Sequence, residues 1–413
     1  MEGNKDRQLY IGIDLNASRA VISFYRADLT EPKEAASVAD SNRQEFPLAV
    51  LRMNNGKYYY GEEALHFRPE AEGEAVFRDN LFAIALLDPQ APEKEDLFRL
   101  IRRLLYFRKH YEKDRTIPYD LTITVPEISS EVVSLMEELR KNLEIDREHF
   151  RITDYRESFF DYISMQDRSI WKQDTCLFVL TKDHLTTMRA HRSVSGADRV
   201  MEVAQERIPF SADVYDDDKA LDQFMAEQVK AALNGNTVSG VYLIGERFEG
   251  DWRHAVMEAI GTNKRIFIGN HIFSRGACYG ACRMRTVARP QVRYECEYRI
   301  RSKRFLRVLD QQKTNYIPLV MPRANWFESF VSYRLLYNGT QHFEIWDDDS
   351  NNTQEPCAIL DLSDFPKRPE KGMYLDVIAY PLSEKSLCIE ITDGGFGSFY
   401  ESSMKTWHFE IDL

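Results

Sequence analysis

Three absences limit the classes of protein that this sequence can encode. The 413-residue chain has no apolar run that approaches the ~18 residues needed for a membrane-spanning helix. Its polar start, from Met1 to Arg7, lacks the apolar core of a secretory signal peptide. Positive charge is not in excess, since the formal net charge is −12, and this argues against a general nucleic-acid binder. We therefore expect no membrane partner and no nucleic-acid partner.

Cysteine is also scarce. The six cysteines are scattered between Cys176 and Cys388, mostly in apolar runs where cysteine behaves as a small hydrophobic residue. This pattern predicts a reducing, cytoplasmic environment without a disulfide framework. Cys278 and Cys282 are four residues apart and could share a helix face. No histidine or second cysteine pair accompanies them, so we predict no metal site there.

What the chain does contain is an ordered series of strands and helices. The segment from Leu9 to Tyr25 predicts two strands joined by a turn at Asn16–Ser18, and Phe273–Ala281 predicts a helix with small residues on a close-packed face. From Val292 onward, alternating apolar and polar residues replace the helical period. This change predicts a separate antiparallel β-sandwich at the end of the chain.

Four short segments occur in a distinctive order along the first 290 residues. They are Ile11–Leu15, Leu121–Pro126, Tyr242–Gly245 and Gly276–Ala281. Together they resemble the nucleotide-cleft skeleton of the actin-like ATPase superfamily, and in particular the nucleotide-binding domain of DnaK-type heat-shock chaperones. Each segment alone is ordinary, and the order carries the resemblance.

The resemblance implies a fold and its boundaries. Residues 1–290 would form an α/β actin-like domain of two duplicated, ribonuclease-H-like lobes, about 1–170 and about 171–290. Residues 291–413 would form an all-β sandwich similar to the chaperone substrate-binding domain. Within that sandwich, Cys357–Leu362 resembles a family strand, and Pro369–Gly372 resembles the turn that follows it.

The resemblance also implies which residues would surround a nucleotide. They are Asp14, Asn16, Ala17 and Ser18 of the first phosphate loop, Gly245 and Glu246 of the adenosine loop, and Gly276 of the second connecting helix. Asp14 is the cleft carboxylate that the sequence retains. Two roles are open to it, namely contact with a Mg²⁺-bound water and capping of the turn at the strand end.

The side chains that handle phosphate in the family are largely absent. The family has Gly-Thr-Thr where this chain has Asn16–Ser18, and the second phosphate hairpin, Val179–Leu185, has none of the family's glycines. Leu180 occupies the position of a metal-organising aspartate, and Ala85 that of the catalytic lysine. Phosphoryl transfer depends on positioning and charge neutralisation by such groups, so we expect no ATP hydrolysis.

The leading interpretation is therefore a non-hydrolysing, chaperone-like pseudoenzyme that binds another protein or peptide. Trp326, Phe327 and Phe330 are the candidate groove residues, with sandwich core as the competing role. One alternative is an ATP-binding chaperone relative with weak or altered activity, which would hold ATP or ADP with Mg²⁺. Another is an actin-like scaffold that self-associates. The acidic runs Asp216–Asp218 and Asp347–Asn352 predict a helix cap and a hairpin turn rather than metal sites.

Overall fold

The protein has a mixed α/β fold in a computed structural model that describes residues 8–36, 43–68, 73, 75–110, 118–195, 198–285, 292–310, 313–337, 339, 342–347, 355–364 and 373–413. The chain divides into two compact units, Met1–Tyr294 and Glu295–Leu413. The predicted boundary after residue 290 falls outside the described residues. The same is true of the predicted turn at Pro369–Gly372 and of most of the acidic run that starts at Asp347.

Within the described residues, the first unit contains nine α-helices and fourteen strands, and a fifteenth, short strand lies at its end. The strands are β1 (Leu9–Leu15), β2 (Arg19–Tyr25), β3 (Lys33–Glu34), β4 (Glu45–Pro47), β5 (Val50–Met53), β6 (Tyr58–Tyr60), β7 (Ala75–Arg78), β8 (Tyr119–Val125), β9 (Phe150–Asp154), β10 (Asp174–Leu180), β11 (His184–Ser195), β12 (Asp198–Pro209), β13 (Val238–Ile244), β14 (Arg265–Gly269) and β15 (Arg293–Glu295). The helices are α1 (Glu62–Phe67), α2 (Leu81–Leu87), α3 (Pro92–Leu105), α4 (Ser130–Asn142), α5 (Tyr155–Ser164), α6 (Ala212–Asp216), α7 (Asp218–Leu233), α8 (His254–Ile260) and α9 (Ile272–Arg285).

Two sheets of this unit have the same strand arrangement. The first has the order β3-β2-β1-β8-β9, and the second contains the order β12-β11-β10-β13-β14. In each sheet, the chain first forms three strands that pair in antiparallel fashion. Two further strands follow, and both run parallel to the first of the three. In each sheet, a helix links the two parallel strands and another helix leaves the last of them. The same order of strands and helices therefore occurs two times in this unit.

Burial explains why the central strands are nearly continuous apolar runs. All seven residues of β1 are buried, because a strand in the middle of a covered sheet has no solvent face. The second sheet packs on α7 and α8 through a shared apolar cluster that includes Leu221, Met225 and Val256. Helix α7 begins as predicted at the acidic run, since the Asp217 carboxylate accepts hydrogen bonds from the N–H groups of Lys219 and Ala220.

Helices α5 and α9 pack closely where the two sheets are joined. Gly276 permits this approach, because a Cβ built on it would overlap the Ser158 carbonyl of α5, and Gly12 of β1 likewise lets α9 lie close to that strand, because a Cβ there would overlap the Ser274 backbone. The predicted helix with small residues on a close-packed face is thus confirmed in α9.

A buried charge network lies beside these glycines. The Arg151 guanidinium contacts Glu157 at 2.5 Å and Asp161 at 3.6 Å, while Arg283 contacts Asp161 at 2.5 Å. Burial raises the pKa of Asp161 to about 6, against the opposing charges of Arg283 and Arg151. The network joins β9, α5 and α9, and three of its members, Arg151, Glu157 and Asp161, are buried.

The second unit consists of two four-stranded antiparallel sheets. Its strands are β16 (Arg304–Asp310), β17 (Lys313–Val320), β18 (Val331–Leu336), β19 (His342–Trp346), β20 (Ala358–Asp361), β21 (Tyr374–Ser383), β22 (Ser386–Gly395) and β23 (Thr406–Asp412). The sheet orders are β17-β16-β19-β20 and β18-β21-β22-β23. Leu306 and Ile345 of one sheet and Val377 and Ile389 of the other share one apolar core. Alternating residues of each strand thus face the same interior.

Two further properties complete the description. Among the described residues, Cys176, Cys278, Cys357 and Cys388 form no disulfide bond. Within the described residues, none of the helices has both the length and the apolar character to span a membrane.

Candidate functional site

The candidate site lies at the carboxyl end of β1, where the first hairpin turns. Asn16 shapes this turn, because its Oδ1 accepts hydrogen bonds from the N–H groups of Ser18 at 3.2 Å and Arg19 at 3.1 Å. Asparagine favours such turns because its side chain imitates a backbone carbonyl. Ala17 and Ser18 are exposed at the tip. Turn capping, one of the two roles left open for Asp14, is thus carried out by Asn16.

Asp14 instead forms a buried hydrogen bond with a tyrosine. The Tyr155 hydroxyl donates to Asp14 Oδ1 at 2.6 Å, across 141 residues of sequence. Asp14 is 9% exposed, and this burial raises the pKa of its carboxyl to about 7, although the Tyr155 hydrogen bond and the charge of Arg19 lower it. Near neutral pH the carboxyl therefore carries a proton for much of the time, which makes it a poor ligand for a divalent cation.

An aromatic pair covers this hydrogen bond. The rings of Tyr155 and Phe273 are stacked, with centroids 3.8 Å apart and an interplanar angle of 4°. Tyr155 is the first residue of α5 and Phe273 is the second residue of α9, so the starts of the two connecting helices meet at the residue that hydrogen-bonds Asp14. The Asp154 carboxylate caps α5 by accepting the Glu157 N–H at 2.8 Å, which fixes the position of Tyr155.

The rim of the site carries an ion pair. Arg19 contacts Glu45, so its guanidinium has an acidic partner next to the hairpin turn. The charge of Glu45 raises the pKa of Asp14 while that of Arg19 lowers it. The cation nearest the turn is therefore already engaged with a carboxylate.

The second hairpin has a different construction from a phosphate loop. The Thr181 hydroxyl lies 2.8 Å from His184 Nδ1 and donates to Asp183 Oδ1 at 3.0 Å. Leu180 is buried in the apolar cluster beneath this hairpin, where it has a packing role. The turn is thus held by hydrogen bonds among its own side chains.

The predicted adenosine loop is held by local contacts. Gly245 has φ +133°, and a Cβ there would press against the Leu180 carbonyl, so glycine allows the ends of β13 and β10 to meet. Glu246 is exposed and begins the 3₁₀ turn Glu246–Glu249. Next to it, the Arg247 guanidinium donates to the Tyr215 carbonyl at 3.0 Å and to Asp218 at 2.6 Å.

Two residues assigned by the resemblance lie away from Asp14. Gly276 is buried against the Ser158 backbone of α5, and the lack of a side chain at this position allows the two helices to pack closely. Ala85 is 2% exposed within α2. A cavity of about 410 Å³ does lie elsewhere in the first unit, and its lining includes Phe46, Tyr60 and Phe107 but neither Asp14 nor Tyr155.

The three aromatic residues predicted to line a groove in the second unit have different environments. Trp326 packs against the core between the two sheets, and Phe327 contacts it edge to face with ring centroids 5.4 Å apart. Phe330 is 48% exposed immediately before β18. Of the three, Phe330 is therefore the one whose side chain is open to a partner.

The residues around Asp14 do not fit a Mg²⁺-nucleotide. A magnesium ion in such sites takes oxygen ligands from charged carboxylates and phosphates. Here the carboxylate is buried, one of its oxygens accepts the Tyr155 hydroxyl, and Arg19 is paired with Glu45. Sequence reasoning missed Tyr155 and Phe273, and the signal available was a pair of aromatic residues at the starts of the two predicted connecting helices.

Two models of known protein families match parts of the chain. Residues 31–297 match the model described as "Family of unknown function (DUF5716) C-terminal". The chain belongs to the DUF5716 family. Residues 299–413 match a second model, described as "Domain of unknown function (DUF8552)". None of the curated proteins matches the chain.

The two matches follow the division of the chain into units. The DUF5716 match ends at residue 297, the DUF8552 match begins at residue 299, and the units divide after Tyr294. The DUF5716 match includes Tyr155 and Phe273, whereas Asp14 and the β1–β2 hairpin precede it.

The raised pKa of Asp14 predicts a pH-dependent stability. Between the ordinary value of 3.8 and about 7, the folded chain retains a proton that the unfolded chain has lost. The stabilisation is thus fully present below pH 3.8 and is lost as the pH rises through about 7. Asn at this position is neutral at every pH and can still accept the Tyr155 hydrogen bond. We expect Asp14→Asn to exceed the wild type by about 1–3 kcal/mol in free energy of unfolding at pH 8.

Urea unfolding between pH 4 and pH 8 checks this expectation. The difference between Asp14→Asn and the wild type should grow steadily with pH. Tyr155→Phe should have the opposite effect. It removes a hydrogen bond that lowers the Asp14 pKa, so the pKa should rise further, and the loss of stability with rising pH should extend above pH 7. Parallel pH profiles for wild type and Asp14→Asn would contradict the account.

Proposed function

We propose that this DUF5716-family chain is an actin-like, chaperone-like protein that does not hydrolyse ATP and that acts by binding another protein. The observation that carries the proposal is the hydrogen bond from the Tyr155 hydroxyl to Asp14, together with the stacking of the Tyr155 ring on Phe273. In the family that the sequence resembles, this is where phosphate and its cation are held. Here the same place is occupied by side chains of the protein.

The repeated sheet topology supports the actin-like part of the proposal. Two lobes of matching strand order, joined by paired helices, are what the resemblance predicts for such a domain. Function does not follow from a fold alone, so the proposed activity rests on the site. The loss of the catalytic groups and the presence of the two-lobed strand topology together support a protein that uses this fold for binding.

The second unit offers a surface for a partner in an extended conformation. In the described part of the chain, β18 is an edge strand of its sheet, with Phe330 exposed just before it. Edge strands present unpaired backbone groups that can add a strand from another chain, and nearby apolar side chains supply selectivity. We propose that an extended peptide segment of a protein partner pairs along β18. The scattered spacing of the six cysteines along the sequence favours a cytoplasmic protein.

Phosphate release tests the absence of hydrolysis. Full-length protein incubated with Mg-ATP should release phosphate at the rate of a buffer blank, because the lysine, aspartate and glycine loops of the family are missing. The control is Asp14→Asn prepared in parallel, which reports contaminating chaperone activity. Release above the blank in the wild type that disappears in Asp14→Asn would favour the alternative of an altered ATPase.

Site-specific photo-crosslinking tests the partner surface in the full chain. A benzophenone amino acid in place of Phe330 should yield protein adducts, whereas the same group in place of Leu87, which is 86% exposed in the first unit, should not. Adducts that form from position 87 and never from position 330 would refute the assignment of β18. Adducts of the chain with itself would favour the self-associating scaffold.

A further inference from the structure

The outward face of the β22–β23 hairpin carries four side chains with metal-ligating atoms. Cys388 and Glu390 are two residues apart on β22, so their side chains lie on the same face. In the strand register, Cys388 is opposite Glu410 and Glu390 is opposite His408. The intervening residue Ile389 points into the core, so this face is the one directed away from it. Thiol, imidazole and two carboxylates thus form a square on one ladder.

The distances among three of these four side chains suit a single ion. Cys388 Sγ, a Glu390 carboxylate oxygen and a His408 ring nitrogen all lie within 4.8 Å of one another. Ligands of one tetrahedral Zn²⁺ are separated by roughly 3–4 Å. The His408 side chain is 64% exposed and is therefore free to rotate toward the other two. Closing the site needs rotation of side chains and no movement of the strands.

Neighbouring hydroxyl groups hold the two carboxylates in place. The Tyr380 hydroxyl donates to Glu390 Oε1 at 2.7 Å, and the Ser386 hydroxyl donates to Glu410 Oε1 at 2.5 Å. Hydrogen bonds of this kind orient metal ligands and increase affinity. The other positions that flank the square on this face are Ile378, Thr392 and Thr406. None of these flanking residues is a lysine or arginine that would neutralise the carboxylates.

We propose that Cys388, Glu390 and His408, with Glu410 as the fourth ligand, bind a divalent transition-metal ion of the zinc type. One sulfur, one nitrogen and carboxylate oxygens are the donors that Zn²⁺ uses in proteins, whereas Mg²⁺ and Ca²⁺ prefer oxygen alone. The ion would link β22 to β23 across their ladder. This inference is independent of the proposed function, because it concerns a different unit and a different surface.

Cobalt substitution provides the test, because Co²⁺ reports its ligands through its absorption spectrum. Full-length protein is reduced, treated with chelator, exchanged into chelator-free buffer and titrated with Co²⁺. We expect one equivalent of Co²⁺ to produce a thiolate charge-transfer band in the near ultraviolet and the strong visible bands of a four-coordinate ion. Zn²⁺ added afterwards should remove both. Absence of the charge-transfer band throughout the titration would overturn the proposal.

Matched variants separate this site from the other cysteines and histidines. Cys388→Ser should abolish the charge-transfer band, and His408→Ala should weaken Co²⁺ binding by tenfold or more. Cys357→Ser and His342→Ala change exposed residues of the same unit that lie outside the square, and both should bind as the wild type does. If Cys388→Ser does not fold, Glu390→Gln is the second variant, and it should weaken Co²⁺ binding by tenfold or more because it removes a carboxylate ligand while keeping an acceptor for Tyr380. A band that survives Cys388→Ser, or that Cys357→Ser removes, would contradict the assignment.

Discussion

Gly276→Ala should lower the free energy of unfolding by more than about 3 kcal/mol. The added Cβ would overlap the Ser158 carbonyl oxygen, which belongs to the backbone of α5 and cannot move aside as a side chain could. Helix propensity alone predicts the opposite sign, because alanine is favoured over glycine inside a helix by about 1 kcal/mol. The sign of the change therefore decides between local preference and the helix contact.

Gly269→Ala is the matched control for this substitution. Gly269 ends β14, and a Cβ there would meet no atom within 4 Å. Thermal and urea unfolding of both variants should show near wild-type stability for Gly269→Ala and a large loss, or failure to accumulate folded protein, for Gly276→Ala. Equal stability of the two variants would mean that α5 and α9 are not packed as closely as the structure has them.

Asp161→Ala should be the second most damaging single change. It leaves Arg151 and Arg283 without the carboxylate that both contact, and Arg151 is 8% exposed. Removing one partner of a buried charge pair typically costs about 3–5 kcal/mol, and the remaining contact of Arg151 with Glu157 at 2.5 Å should place this loss toward the lower end. The measurement is urea unfolding at pH 8, above the Asp161 pKa of about 6, where the carboxylate is charged.

A double-mutant cycle with Arg283→Ala isolates the interaction. If Asp161 and Arg283 stabilise each other, the double variant should lose at least about 1 kcal/mol less than the sum of the two single losses. Arg283 has a second contact over the Phe160 ring, with its guanidinium 5.0 Å from the ring centroid, which its single variant also removes. Additive losses would show that the two charges act independently.

The strands and the connecting helices could be predicted because local patterns encode them. Ile11–Leu15 and Leu121–Val125 are apolar runs of strand length, and they lie in β1 and β8. Small residues near Gly276 predicted a close-packed helix face, and α9 has one.

The side-chain arrangement of the site could not be predicted, because it depends on contacts between distant segments. Nothing local in the sequence connects Tyr155 to Asp14 or to Phe273. The resemblance placed Gly276 next to a nucleotide, whereas its neighbour is Ser158. The same limit applies to Cys388 and His408. Alternation fixes the face of each residue on its own strand, but the register between strands decides which residues meet.

We propose that side chains of the protein occupy the place where the ATPases that the sequence resembles hold a Mg²⁺-nucleotide. Calorimetric titration of Mg-ATP into the full-length protein at pH 7.5 tests it most directly, because binding is measured whether or not hydrolysis follows. The Tyr155–Asp14 hydrogen bond under the Phe273 ring predicts no saturable heat for the wild type. Saturable binding by the wild type that Asp14→Asn abolishes would contradict the claim and place a nucleotide at this carboxylate.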